Sequence, residues 1–63
     1  MSKHHVIYIE AEDWRYRETV KDWLTTRIGP RGIGWRFMWE RHGTYKVTIF
    51  GDEDAVAFKL WLS

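Results

Sequence analysis

The stretch Trp35-Arg36-Phe37-Met38-Trp39-Glu40-Arg41-His42-Gly43-Thr44-Tyr45-Lys46-Val47-Thr48-Ile49-Phe50 holds two runs rich in aromatic and β-branched residues, 35–40 and 44–50, on either side of a glycine turn signal. Side chains alternate across a strand, so a slip of one residue moves every apolar group to the opposite face. With a two-residue loop at His42-Gly43, a regular ladder pairs Arg41 with Thr44. Trp39 then falls opposite Lys46 and Phe37 opposite Thr48, which mixes apolar and polar groups on both faces. A three-residue loop, 41–43, pairs Glu40 with Thr44 instead. It sets Trp35, Phe37 and Trp39 beside Ile49, Val47 and Tyr45, and leaves Arg36, Met38 and Glu40 with Thr48, Lys46 and Thr44 on the other face. The expectation is this second register, with Gly43 in the left-handed conformation that such a loop requires.

Upstream, residues 4–10, His-His-Val-Ile-Tyr-Ile-Glu, read as a strand. Glu12 and Asp13 then open a segment that runs to Ile28 and stops at Gly29-Pro30. Tyr16, Val20, Trp23, Leu24 and Arg27 share one stripe of it, the mark of an amphipathic helix. Trp14 lies about 120° from Val20 at 100° per residue, which leaves its burial open. Downstream, Gly51-Asp52 ends the last strand and starts a second helix, with Asp52 expected as N-cap and Glu53 and Asp54 in its first turn. Residues 55–62 are apolar on nearly every side, with Lys59 the one charge. Ala55, Phe58 and Leu62 share a face that can join the core.

The order is therefore β-α-β-β-α, an α+β chain of two layers. A right-handed crossover makes the first two strands parallel, and the hairpin makes the third antiparallel to the second. A three-stranded sheet with the third strand in the middle and both helices on one face is a ferredoxin-like arrangement lacking its last strand. It places residues 4–10 on a sheet edge. Strand order 2-1-3 satisfies the same pattern.

All 63 residues belong to one domain. A chain of this size buries only about 60% of the surface its unfolded form exposes, so it needs a staple or an unusually dense core. With no cysteine there is neither a disulfide nor a thiolate metal site, whereas five Trp, three Tyr and three Phe supply the dense core. The net charge of +1 argues against a dedicated duplex-DNA binder. No apolar run approaches the roughly 18 residues of a membrane span, and residues 1–5 lack the apolar region of a signal peptide. The expectation is a soluble, cytoplasmic chain.

No catalytic constellation is expected. His4, His5 and His42 fall at a strand start and a turn tip, with no orienting partner legible. Ser2 and Ser63 stand at the termini, and no histidine spacing suits a metal. The acidic groups Glu10, Glu12, Asp13 and Asp52, Glu53, Asp54 precede helices, where capping explains them. No cofactor is implied. Gly29-Pro30-Arg31-Gly32 resembles the Gly-x-x-Gly clamp of KH domains, which bind single-stranded nucleic acid. Only Ile33-Gly34 separate it from the next strand, however, so the clamp's second helix has no room and the glycines read as a helix C-cap and turns. It is not a P-loop, because it follows a helix and precedes a strand.

Tyr45-Lys46-Val47 through Phe50, then Asp52-Glu53-Asp54-Ala55-Val56, Phe58-Lys59-Leu60 and Trp61, resemble the tail of small uncharacterised proteins of marine phages that infect cyanobacteria. Those end in an acidic turn, an Asp-Ala-Val step, Phe-Lys-Leu, and an aromatic residue followed by glycine. Leu62-Ser63 stands here in place of that glycine ending, and the similarity covers about the last third of the chain. It implies a phage origin and no particular activity.

Two functions follow as expectations. The first is a non-catalytic interaction protein that forms a homodimer and engages a host or viral protein. Its contacts would be Val56, Leu60 and Trp61 on the last helix and Val6 and Tyr8 on the edge strand. The second is a small single-stranded nucleic-acid binder using the basic loop and the open sheet face, through Arg31, Arg36, Lys46 and Tyr8.

Overall fold

The computed structural model describes residues 4–63; Ser2, and the start of the segment 1–5 expected to lack a signal peptide's apolar region, lie outside the described residues. The elements are β1 (His5–Glu10), α1 (Trp14–Arg27), β2 (Trp35–Arg41), β3 (Thr44–Ile49) and α2 (Asp52–Leu62), the expected β-α-β-β-α order. The sheet runs β1-β3-β2, with β3 antiparallel to both neighbours, which settles the strand order in favour of a central third strand.

The hairpin keeps the expected faces but closes differently. Trp35, Phe37 and Trp39 pair with Ile49, Val47 and Tyr45, after which the register shifts and Arg41 stands opposite Thr44. Glu40 is the extra residue, and the tip is His42-Gly43 rather than three residues. A β-bulge is the physical reason: one unpaired residue reconciles the short closure with an unmixed apolar face. Gly43 adopts φ +79°, as the reading required. A Cβ there would come within 2.9 Å of Glu12 Cγ, so Gly43→Ala should cost backbone strain together with a shift of the exposed Glu12 side chain. A loss of about 1 kcal/mol is expected, seen as a fall in melting temperature of roughly 4–8 °C. An unchanged melting curve would count against the left-handed turn.

Asp13 caps α1 by accepting from the Arg15 N–H at 2.9 Å. At α2 the cap is Gly51, one residue before the expected Asp52, because the Asp52 carboxylate is taken by His5. Asp52 instead joins Glu53 and Asp54 in the first turn, where negative charge still favours the helix dipole.

Both helices lie against the sheet face of Ile9, Trp35, Val47 and Ile49, where Val20, Leu24, Ala55 and Phe58 complete the buried core. Two expected core residues are absent from it. Arg17 and Lys21 of α1 reach over the rings of Tyr45 and Phe37 at 5.3 and 5.6 Å. Trp39, at the hairpin end of the edge strand, lies beyond that cover and stays 65% exposed. Tyr16 is likewise on the rim of α1 and exposed, as is Trp14. The loop 28–34 is held to the sheet by the Phe50 N–H donating to the Gly34 carbonyl and by the Trp35 indole N–H donating to the Gly29 carbonyl. β2 follows it directly, which leaves no second helix for a KH-type clamp.

Candidate interaction surfaces

α2 presents a different face to each neighbour. Ala55 and Phe58 point into the core, and Leu62 packs partly against it, as expected. Asp54 meets Arg27 of α1 at 3.2 Å. Trp61 was expected to point away from the core with Val56 and Leu60, and here the structure differs in part. Its ring stacks on Trp23 of α1 at 5.3 Å and leans on Phe58 at 6.0 Å, so it fills part of the joint between the helices, and it keeps 37% of its surface exposed as the sequence led one to expect. A flat ring next to another gains dispersion and burial that an exposed position would forgo. Val56 and Leu60 remain in solvent at 56% and 70% exposure on an intact helix. With Arg27, Asp52, Glu53 and Ala57 they line a shallow open depression of about 490 Å³.

The second surface is the sheet face away from the helices. Cross-strand pairing forms one row of Tyr8, Lys46 and Met38 and a neighbouring row of Val6, Thr48 and Arg36. Thr48 is buried beneath its neighbours, while Val6, Tyr8, Arg36 and Met38 are exposed. At one end the Phe50 ring lies 5.9 Å from the His4 ring and 6.0 Å from the Arg36 guanidinium. Arg36 and Lys46 form no ion pair among the described residues. The fold thus brings Tyr8, Arg36 and Lys46 together. Arg31 sits exposed in the 28–34 loop, outside the strand registers that join the other three.

Two histidine–carboxylate contacts were not legible in the sequence. His5 Nε2 lies 2.7 Å from Asp52 Oδ1, and His42 Nε2 lies 3.5 Å from Glu12 Oε2. Only the elements' packing joins residues 47 positions apart, so no motif could have announced the first. Both pairs are open to solvent, and no further side-chain hydrogen bond extends either among the described residues. The first pair tethers β1 to α2 and the second the hairpin tip to the connection between β1 and α1, whereas general-base chemistry needs a shielded site. Among the described residues there is no cluster of three metal-ligating side chains and no helix long and apolar enough to cross a membrane. The chain matches no family model, no curated protein and no solved structure.

Proposed function

We propose that this is a non-catalytic interaction protein that self-associates in the cytoplasm, that of the host where a phage carries the chain. The observation that carries the reading is the exposure of Val56 and Leu60 on a helix whose Ala55, Phe58 and Leu62 face the core. A chain of 63 residues gains more from covering such a strip than a large one does, because its own core is small. A symmetric, self-complementary contact is the commonest way to cover it. The resemblance of the C-terminal third to the phage proteins supports a host or viral protein as the further partner.

The expected result is a dimer by light scattering across a concentration series, and a shift to monomer in Leu60→Lys. Leu60 makes no core contact, so the variant should retain its helical circular dichroism. A wild-type monomer at high micromolar concentration would sink the reading.

The row of Tyr8, Lys46 and Met38 beside Arg36, with neither Lys46 nor Arg36 in an ion pair among the described residues, favours a second reading in which the open face takes single-stranded nucleic acid. Titration of a labelled oligonucleotide at two salt concentrations tests it. Affinity should fall steeply as salt rises, and more weakly so in Lys46→Glu. No binding at low salt removes it.

A further inference from the structure

We infer that the second copy joins edge to edge along β1, so that two three-stranded sheets become one continuous sheet; this rests on the self-association proposed above. The two edges of the sheet are unlike. β2 carries the bulge after Trp39 and the charged residues Arg36, Glu40 and Arg41, features that discourage a further strand from pairing. β1 is regular from His5 to Glu10, with no bulge, no proline and no lysine. It is the undefended edge.

The register follows from the hydrogen bonds. The Ala11 N–H donates to the Gly43 carbonyl across the β1–β3 ladder. By the two-residue period of an antiparallel ladder, His5, Ile7 and Ile9 turn their backbone groups to β3, and those of Val6, Tyr8 and Glu10 face the open edge. A two-fold axis perpendicular to the sheet keeps the helices of both copies on one side. It requires paired residues to share a face. Centring that axis on Ile7 pairs Val6 with Tyr8 of the second copy, and His4 with Glu10 of the second copy at each end. An imidazole then meets a carboxylate, and the whole outward-facing set is used. Centring on Val6 or Tyr8 leaves groups unpaired at the ends. Ile7, only half-buried on the helix side of the sheet, meets its own symmetry mate.

The same operation reaches the start of the helix strip. Asp52, Val56 and Leu60 form one i, i+4, i+8 row, and Asp52 is held by His5 of the edge strand. The row therefore starts above β1. Pairing two β1 strands brings the two α2 helices toward one another, with the Asp52 and Val56 end of the row nearest the second copy. The open edge and the start of the helix row thus lie on one side of the molecule, while Leu60, farther along the row, lines the depression beside Arg27 of α1.

Since the chain has no cysteine, a single introduced thiol reports the register cleanly. A non-hydrogen-bonded antiparallel pair has Cα atoms about 4.5 Å apart, within disulfide reach. Under mild oxidation Ile7→Cys should run as a reducible covalent dimer on a non-reducing gel, while Tyr8→Cys stays monomeric on the same gel. Tyr8→Pro removes one outward N–H and none of those that bond β3, so it should abolish the dimer by light scattering and keep its circular dichroism. Cross-linking of Tyr8→Cys instead of Ile7→Cys would overturn the register. A wild-type dimer with no cross-link through Ile7→Cys would overturn the edge pairing and leave self-association through α2 standing. A monomeric wild type defeats both proposals. If Tyr8→Pro fails to fold, the two cysteine variants decide alone. A monomer whose Ile7→Cys form is captured only by an added strand-forming peptide would assign the edge to a different protein's strand and reject the second copy.

Discussion

Phe58→Ala is expected to lower stability by about 3–5 kcal/mol, the range for removing a buried aromatic ring. Phe58 is fully buried and holds α2 to the sheet, with the Trp23 ring 5.5 Å away and Trp61 closing over it at 6.0 Å. At roughly 0.05–0.15 kcal/mol per residue, a 63-residue domain has only about 3–9 kcal/mol in total. The substitution therefore removes a large part of what holds the chain folded. Urea denaturation followed by circular dichroism at one fixed protein concentration measures it, since self-association would make stability depend on concentration. Phe58→Leu, which keeps much of the apolar volume, should lose clearly less. Tryptophan emission should also move to longer wavelength in Phe58→Ala, as Trp23 and Trp61 lose their shared neighbour. A melting curve equal to that of the wild type would mean α2 is not docked on the sheet.

The second large effect is expected at Trp35, and its two causes can be separated. The side chain is buried at the start of β2, and its indole N–H donates to the Gly29 carbonyl at 2.7 Å. Trp35→Phe retains a ring but leaves that carbonyl without its donor, a loss of about 1–3 kcal/mol when the group stays out of water. Trp35→Ala removes the ring as well and should cost about 3–5 kcal/mol. The difference between the two variants reports packing, and the step from wild type to Trp35→Phe reports mainly the anchor of the 28–34 loop. Equal stability of Trp35→Phe and wild type would show that the loop is held by its other bonds, such as the Gly34 carbonyl to the Phe50 N–H.

The strands, the helices and the two sheet faces were legible from local pattern. Alternation with period two marks Trp35, Phe37 and Trp39 as one side, and the structure keeps them so. Asp13 and Gly29-Pro30 bracket α1, because capping and helix breaking act over neighbouring residues. The candidate surfaces were legible in the same degree: Val56 and Leu60 stay in water on α2, and Val6, Tyr8, Arg36 and Lys46 share the open face.

Which side of a helix or sheet an aromatic residue occupies is a local property, whereas whether anything lies over it is not. Trp39 has the right alternation and stays exposed, since the reach of α1 over the sheet ends with Arg17 and Lys21 on Tyr45 and Phe37. Trp61 looked free on an all-apolar helix and turns onto Trp23, a residue of the other helix. Asp52 had the chemistry of an N-cap, but His5 claims its carboxylate from the far end of the chain. The strand order and the bulge at Glu40 belong to the same class. Periodicity and turn chemistry are properties of neighbours along the chain, and they determined the elements and their faces. Coverage, pairing between distant strands and competition for a side chain arise only when those elements pack, so the tertiary structure alone decided them.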